Sequence, residues 1–294
     1  MDKAHIETEK RLARVEAHLS KVYDRAQVEI QKKADRYFEQ FSAADEKKRA
    51  LVEKGRLGEE EYKRWRENKM LYGRKWSNMK ESLAREYSRV NEIALAYVND
   101  ELPPVYALNY NALSEDVDGV GGYSFELTDA NTVKNLALKD DSLLPYKKID
   151  PSVDIPWNSK KINAEMLQGI LQGEKITDIA ERLRNVERMT KAAAIRNART
   201  MFTAAQNKGR IDSYKTAQDD GIILQKEWLS SNDGRTRHAH LPSSFGSLIV
   251  DIDKPFSNDI GLIMYPGDPG AHPANVYNCR CTLVANVKGF KKVK

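Results

Sequence analysis

The chain has 294 residues, 40% of them hydrophobic and 31% charged, with 48 Lys+Arg against 43 Asp+Glu for a formal charge of +5. That length holds one large domain or two modest ones with separate cores, and a mean hydropathy of −0.66 suits long solvated helices. The composition excludes a membrane-spanning helix, because no apolar run approaches the roughly 20 residues a bilayer requires. It also excludes a disulfide-built fold: the two cysteines, Cys279 and Cys281, are one residue apart, too close for unstrained pairing.

Met1 to Glu7 has no apolar stretch of the secretory kind, so synthesis in a reducing cytoplasm is expected. The mild positive charge permits an acidic partner such as nucleic acid without demanding one. The charge is uneven, with about 23 Lys/Arg against about 17 Asp/Glu over residues 1–90 and Lys288, Lys291, Lys292 and Lys294 at the end. The first block reads as solvated helix faces or as a phosphate-facing surface.

Residues 4–41 predict a continuous helix, because Leu12, Val15, Leu19, Val22, Ala26 and Ile30 recur at three- and four-residue steps. Such a stripe packs on a partner helix. Gly55-Arg56-Leu57-Gly58 punctuates, and Glu59-Glu60-Glu61 opens a second helix with acidic residues at the positive end of its dipole. Tyr62, Trp65, Met70 and Tyr72 supply its anchors. A third helix runs from about 77 to 100 through Leu83, Tyr87, Val90, Ile93, Leu95 and Tyr97, and Pro103-Pro104 is expected to stop it.

From 105 to 157 the signals weaken: Asp118-Gly119 and Gly121-Gly122 read as turns, and a short helix ends near Leu138 after a cap at Thr128 or Asp129. Pro145, Pro151 and Pro156 suggest an irregular hinge. A helical pair over 160–187 breaks at Gly173. Thr190 is expected to cap a strong helix from 191 to 202, ending near Gly209 as a terminating glycine would. The first convincing strand is 222–228, followed by short candidates at 248–250, 262–265 and 281–284.

The chemistry gathers at the end. Trp228 leads into Asp233-Gly234-Arg235-Thr236-Arg237, then His238 and His240, and about forty positions on comes Asn278-Cys279-Arg280-Cys281. Asp-Gly is a turn dipeptide whose carboxylate can accept backbone N–H groups. Arg235 and Arg237 could lock the fold by ion pairs or fork onto phosphates. On a strand, Cys279 and Cys281 would share one face, so they could hold Zn²⁺ with His240 or His272. Buried packing with hydrogen bonds, a Cys–His nucleophile and general acid–base cleavage of RNA are the other readings of this set. The last two would draw on Asp233, Arg237, His240 and Cys279.

The order of these features resembles the phage head morphogenesis family, the Mu F-like minor head proteins. Ala194 to Thr200 with Ala204 to Gly209 resembles that family's helix before the terminal module. Trp228 to His240 resembles its Trp…Asp-x-Arg-Thr-Arg-x-x-His signature, and Tyr265 to Asp268, Pro273-Ala274 and Asn278 to Cys281 resemble its closing motif. The chain departs at Pro242 to Gly246, where many members carry a short Leu-x-Gly segment, and at His238.

The resemblance implies a low-copy, portal-associated component of a tailed bacteriophage or prophage head, acting in capsid assembly and DNA packaging, retention or ejection. It implies no reaction. The expected architecture is an α-rich N-terminal region of long amphipathic helices followed by a small α+β C-terminal module. Its expected segments are a portal or assembly region (1–104), a hinge (105–157), a helical part (158–219) and a terminal module with a basic tail (220–294). The motif cluster is Trp228, Asp233, Arg235, Thr236, Arg237, His240, Asn278, Cys279, Arg280 and Cys281. Expected partners are the portal protein, packaged DNA through Arg235, Arg237, Lys288, Lys291 and Lys292, and scaffold or capsid proteins, in the head interior near the portal vertex. No cofactor is expected, with zinc as the alternative; a nuclease or a zinc-stabilised nucleic-acid-binding module are the rival functions.

Overall fold

The computed structural model describes residues 2–117, 128–140 and 142–291. The expected turns at Asp118-Gly119 and Gly121-Gly122, and Lys292 and Lys294, lie outside the described residues. Long helices come first and a small antiparallel module follows, as the pattern of apolar residues implied. The helices are α1 (Lys3–Glu53), α2 (Glu59–Arg66), α3 (Arg74–Tyr110), α4 (Leu113–Val117), α5 (Ala130–Lys139), α6 (Pro151–Leu171) and α7 (Ile176–Asp219). Strands β1 (Ile222–Leu229), β2 (Ile249–Asp251), β3 (Phe256–Asn258) and β4 (Gly261–Ile263), the short helix α8 (Pro273–Val276) and β5 (Thr282–Phe290) complete the chain.

Four helix boundaries differ from the sequence expectation, each for a tertiary reason. Helix α1 runs on to Glu53 and ends only where Gly55 adopts φ +65°. Helix α3 passes through Pro103 and Pro104. Interior prolines cost a helix about 3 kcal/mol or more, but Leu102, Val105, Tyr106 and Ala107 are all buried around them, and burial returns about 1.5–3 kcal/mol for each large apolar side chain. Thr190 caps nothing: it lies inside α7, where its hydroxyl donates to Val186 O at 2.8 Å. Gly209 does not end that helix either. The backbone of α3 crosses it so closely that a Cβ there would sit 2.5 Å from Tyr106 O.

The expected hinge is largely helical. Asp150 accepts from Ser152 N and Pro151 takes the first turn of α6, where a missing N–H costs nothing. Gly173, at φ +70°, separates α6 from α7 as expected.

The chain forms two compact units that are not consecutive stretches of sequence. One comprises residues 17–96 and 148–194, the other residues 1–16, 97–147 and 195–294. The first unit is helical, and its core gathers Ile30, Tyr37, Phe38, Met70, Trp76 and Tyr87 with Ile162, Met166, Ile179 and Leu183. Tyr62 and Met70 are buried as anchors, whereas Tyr72 is exposed. Beneath α2 the buried Arg66 pairs with Asp45 at 2.8 Å, and Tyr62 Oη donates to the same carboxylate.

In the second unit β1 is the central strand, antiparallel to β2 and to β5. Its alternation buries Ile222, Leu224, Lys226 and Trp228 on one face. β5 is longer than the sequence suggested because it pairs with the whole of β1, from Leu229↔Thr282 to Ile222↔Phe290. A register shift at Ile223/Leu224 leaves Lys288 as the additional residue of a bulge. The separate hairpin of β3 and β4 includes Phe256 to Asn258, which had no alternating pattern to reveal it.

Candidate functional site

The terminal motifs fold into two adjoining clusters. At the first, His240 ends a 3-10 turn (His238–His240), and Cys279 and Cys281 lie just before β5. Asn278 at φ +58° turns the chain so that both thiols point inward. His240 Nδ1 is 3.4 Å from Cys279 Sγ and 3.7 Å from Cys281 Sγ. All three residues are buried. Trp228 meets the imidazole edge-on at 5.1 Å, and Phe256 packs edge-on against the same indole at 5.3 Å.

Backbone geometry fixes which imidazole nitrogen donates to Asn275. Asn258 Oδ1 accepts from Ile260 N and Gly261 N, so its Nδ2 must face outward, and it donates to Asn275 Oδ1 at 3.0 Å. Asn275 Oδ1 is thereby an acceptor, and His240 Nε2, 3.2 Å away, is the donor. That turns Nδ1 toward the sulfurs. The Cys279–Cys281 hydrogen bond drives the Cys281 thiol down, helped by His240, while the same bond and burial push Cys279 up.

The second cluster is the Asp233 turn. Its carboxylate accepts from Arg235 N and the Thr236 hydroxyl, and it pairs with Arg280. Burial raises this carboxyl, but the Arg235 N–H, the Arg280 charge and Thr236 outweigh it and hold the carboxyl below its usual value. The Arg237 guanidinium donates to Tyr277 O, tying the first motif to the second. Of the expected arginines, only Arg235 stands exposed.

Two groups of expected residues are not brought together. His272 is exposed and caps α8, accepting from Ala274 N through Nδ1, so it is not a companion of the thiols. Lys288 and Lys291 sit at the Ile222 end of the β1–β5 ladder. Arg235 and Arg237 follow the Leu229 end, about 24 Å away along an extended strand. The acid–base set of the nuclease reading does not share a cleft either: His240 and Cys279 are 1% and 2% exposed, while Asp233 and Arg237 are engaged by Arg280 and Tyr277.

One face of α7 holds the closing motif, and individual residues of that face were missed in the sequence. Thr203 donates to Cys279 O at 2.5 Å, Asn207 donates to Cys281 O and accepts from Leu283 N at 2.8 Å, and Gln206 donates to Thr282 Oγ1. Arg210 donates to Leu283 O and forks onto Asp2. Arg199 pairs with Glu16, which raises its pKa. Polar residues at three- and four-residue spacing within an otherwise buried helix face were the readable signal.

Residues 160–284 match the family described as Phage Mu protein F like protein. The chain is 24% identical to "Minor head protein GP7" of Bacillus phage SPP1 over 286 residues, which cover 95% of this chain and 84% of that protein. It is also 27% identical over 132 residues to "NAD(+)--arginine ADP-ribosyltransferase EFV" of Enterococcus faecalis, covering 45% of this chain but only 26% of that enzyme. No solved structure matches. The relative that spans nearly the whole chain is a minor head protein, whereas the enzyme matches over less than half of it. Residues 160–284 are thus similar to the Mu F-like family, and the chain as a whole is similar to a minor head protein.

Proposed function

We propose that this minor head protein works at the portal vertex inside the head, its helical unit docking to the portal and its terminal module lying beside packaged DNA. The observation that carries the docking half is the apolar surface left on the helical unit. Tyr72, Val153 and Trp157 are 76%, 65% and 49% exposed, and Val28, Ile93 and Leu171 are exposed as well. Helices that leave such side chains in water offer contact to a neighbouring helical surface. Scaffold or capsid proteins are the other head components that could take this surface. Among the described residues no helix is long and apolar enough to cross a membrane.

Co-purification with the portal oligomer of the same phage tests the docking. Val153→Glu with Trp157→Glu is expected to abolish it while the circular dichroism stays unchanged; no retention of the wild type refutes it. For DNA, the two basic ends of the β1–β5 ladder would neutralise separate phosphates. Affinity should fall steeply with salt, and replacing either Arg235 or the Lys288/Lys291 pair by Ala should each flatten the slope. A salt-independent response, or no binding, removes the DNA half.

A further inference from the structure

We infer that His240, Cys279 and Cys281 are three protein ligands of a zinc ion, which is independent of docking to portal or DNA. The inference rests first on spacing. With Zn–S at about 2.3 Å and Zn–N at about 2.05 Å, a tetrahedral angle sets sulfur and nitrogen about 3.6 Å apart. The two observed separations, 3.4 and 3.7 Å, straddle that value, and all three donor atoms lie within 4.8 Å of one another.

The ring and the thiols are also prepared for a cation. The chain of amides from Ile260 N through Asn258 and Asn275 holds Nε2 by an acceptor and turns Nδ1 toward the sulfurs, the outer-shell arrangement that orients metal-bound histidines. Cys281 N–H points at Cys279 Sγ, 3.4 Å away, and a backbone N–H of Ser231 reaches Cys281. Such donors stabilise thiolates, not thiols. Charge closes the argument. Two thiolates with a divalent cation form a neutral centre, which suits a site packed against the rings of Trp228 and Phe245; thiolates alone would be buried charge. Imidazole with two thiolates selects zinc over magnesium or calcium. On binding, each ligating thiol releases its proton to water, and a water or other small donor takes the fourth corner.

Elemental analysis of the full chain, purified without chelator, is expected to give close to one zinc per chain. Chelator-stripped protein given Co²⁺ without oxygen should show the thiolate-to-cobalt charge-transfer band in the near ultraviolet. Cys279→Ser, Cys281→Ser and His240→Ala should each lower the zinc content several-fold, and His272→Ala should retain it. Metal-free wild type that shows no cobalt band overturns the inference, whether its cysteines titrate as two free thiols or are found as a disulfide. Zinc loss on His272→Ala overturns the ligand assignment.

Discussion

Arg210 is the side chain whose removal should cost most for its size. It is 1% exposed and donates to Asn109 Oδ1 at 3.0 Å, to Leu283 O at 2.7 Å and to both Asp2 oxygens at 2.7 and 2.8 Å. Arg210→Met keeps most of the stem but leaves two buried acceptors short of a donor, at about 1–3 kcal/mol each. Asp2 is 22% exposed and can rehydrate, so its share is about 1 kcal/mol. The expected loss is about 3–5 kcal/mol, as for a broken buried pair. With m near 3 kcal/mol per M, the urea midpoint should fall by about 1–1.5 M at constant slope.

The acid limb adds a second readout. Burial raises the Asp2 carboxyl, but the hydrogen bonds and charge of Arg210 prevail and hold it below its ordinary value of 3.8. A depressed carboxylate contributes stability above its unfolded pKa and loses it as pH falls through the lower folded value. Wild type should lose that increment below about pH 4, and Arg210→Met should not. A cost under about 1 kcal/mol would refute the reasoning, and so would simple additivity of Arg210→Met with Asp2→Asn.

Gly209→Ala should lower Tm, because overpacking against the Tyr106 carbonyl costs about 1–3 kcal/mol and exceeds the roughly 1 kcal/mol gained in helix propensity; a raised Tm would mean that α3 and α7 do not cross there. Asn278→Gly should be nearly neutral and Asn278→Ala should cost about 1 kcal/mol in thermal unfolding, since φ is +58°; equal effects would dismiss the left-handed turn. Burial lowers the Lys226 ammonium to about 8 from 10.5. A lysine with a depressed folded pKa binds fewer protons folded than unfolded, so wild-type stability should gain an increment as pH rises from about 8 to 10.5. Urea titrations of Lys226→Met should lack that increment; an unchanged profile would place the ammonium in solvent.

The sequence was most legible where one local rule acted alone. The apolar stripe of Leu12, Val15 and Leu19 marked α1, and Gly173 marked the α6–α7 break, because periodicity and backbone freedom need no distant partner. Pro103-Pro104, Thr190 and Gly209 misled for one shared reason: each carries a helix-boundary signal, a start at Thr190 and an end at the others, and each lies where burial on another part of its unit overrides that signal. The site was legible in residue type but not in assembly. Cys279, Cys281 and His240 converge, but the choice of His240 over His272 depends on Asn258 and Asn275, whose roles are set by backbone groups no pattern reveals. Lys288 and Arg235, both basic, fall at opposite ends of one ladder because β5 pairs with the whole of β1.

The clasp between Asp2 and Arg210, next to the Leu283 carbonyl, has a consequence for synthesis. Its unit draws on residues 1–16, 97–147 and 195–294, so the opening helical turn cannot complete its contacts until α7, with Arg210, has left the ribosome. Maturation of that unit is therefore governed by contacts spanning more than two hundred positions, a topology that favours slow folding. A nascent chain halted before Cys279 would carry an uncovered α7 face, with Thr203, Gln206 and Asn207 lacking their partners on the closing motif. That makes the truncated chain a natural client for chaperones or proteases before any head is built.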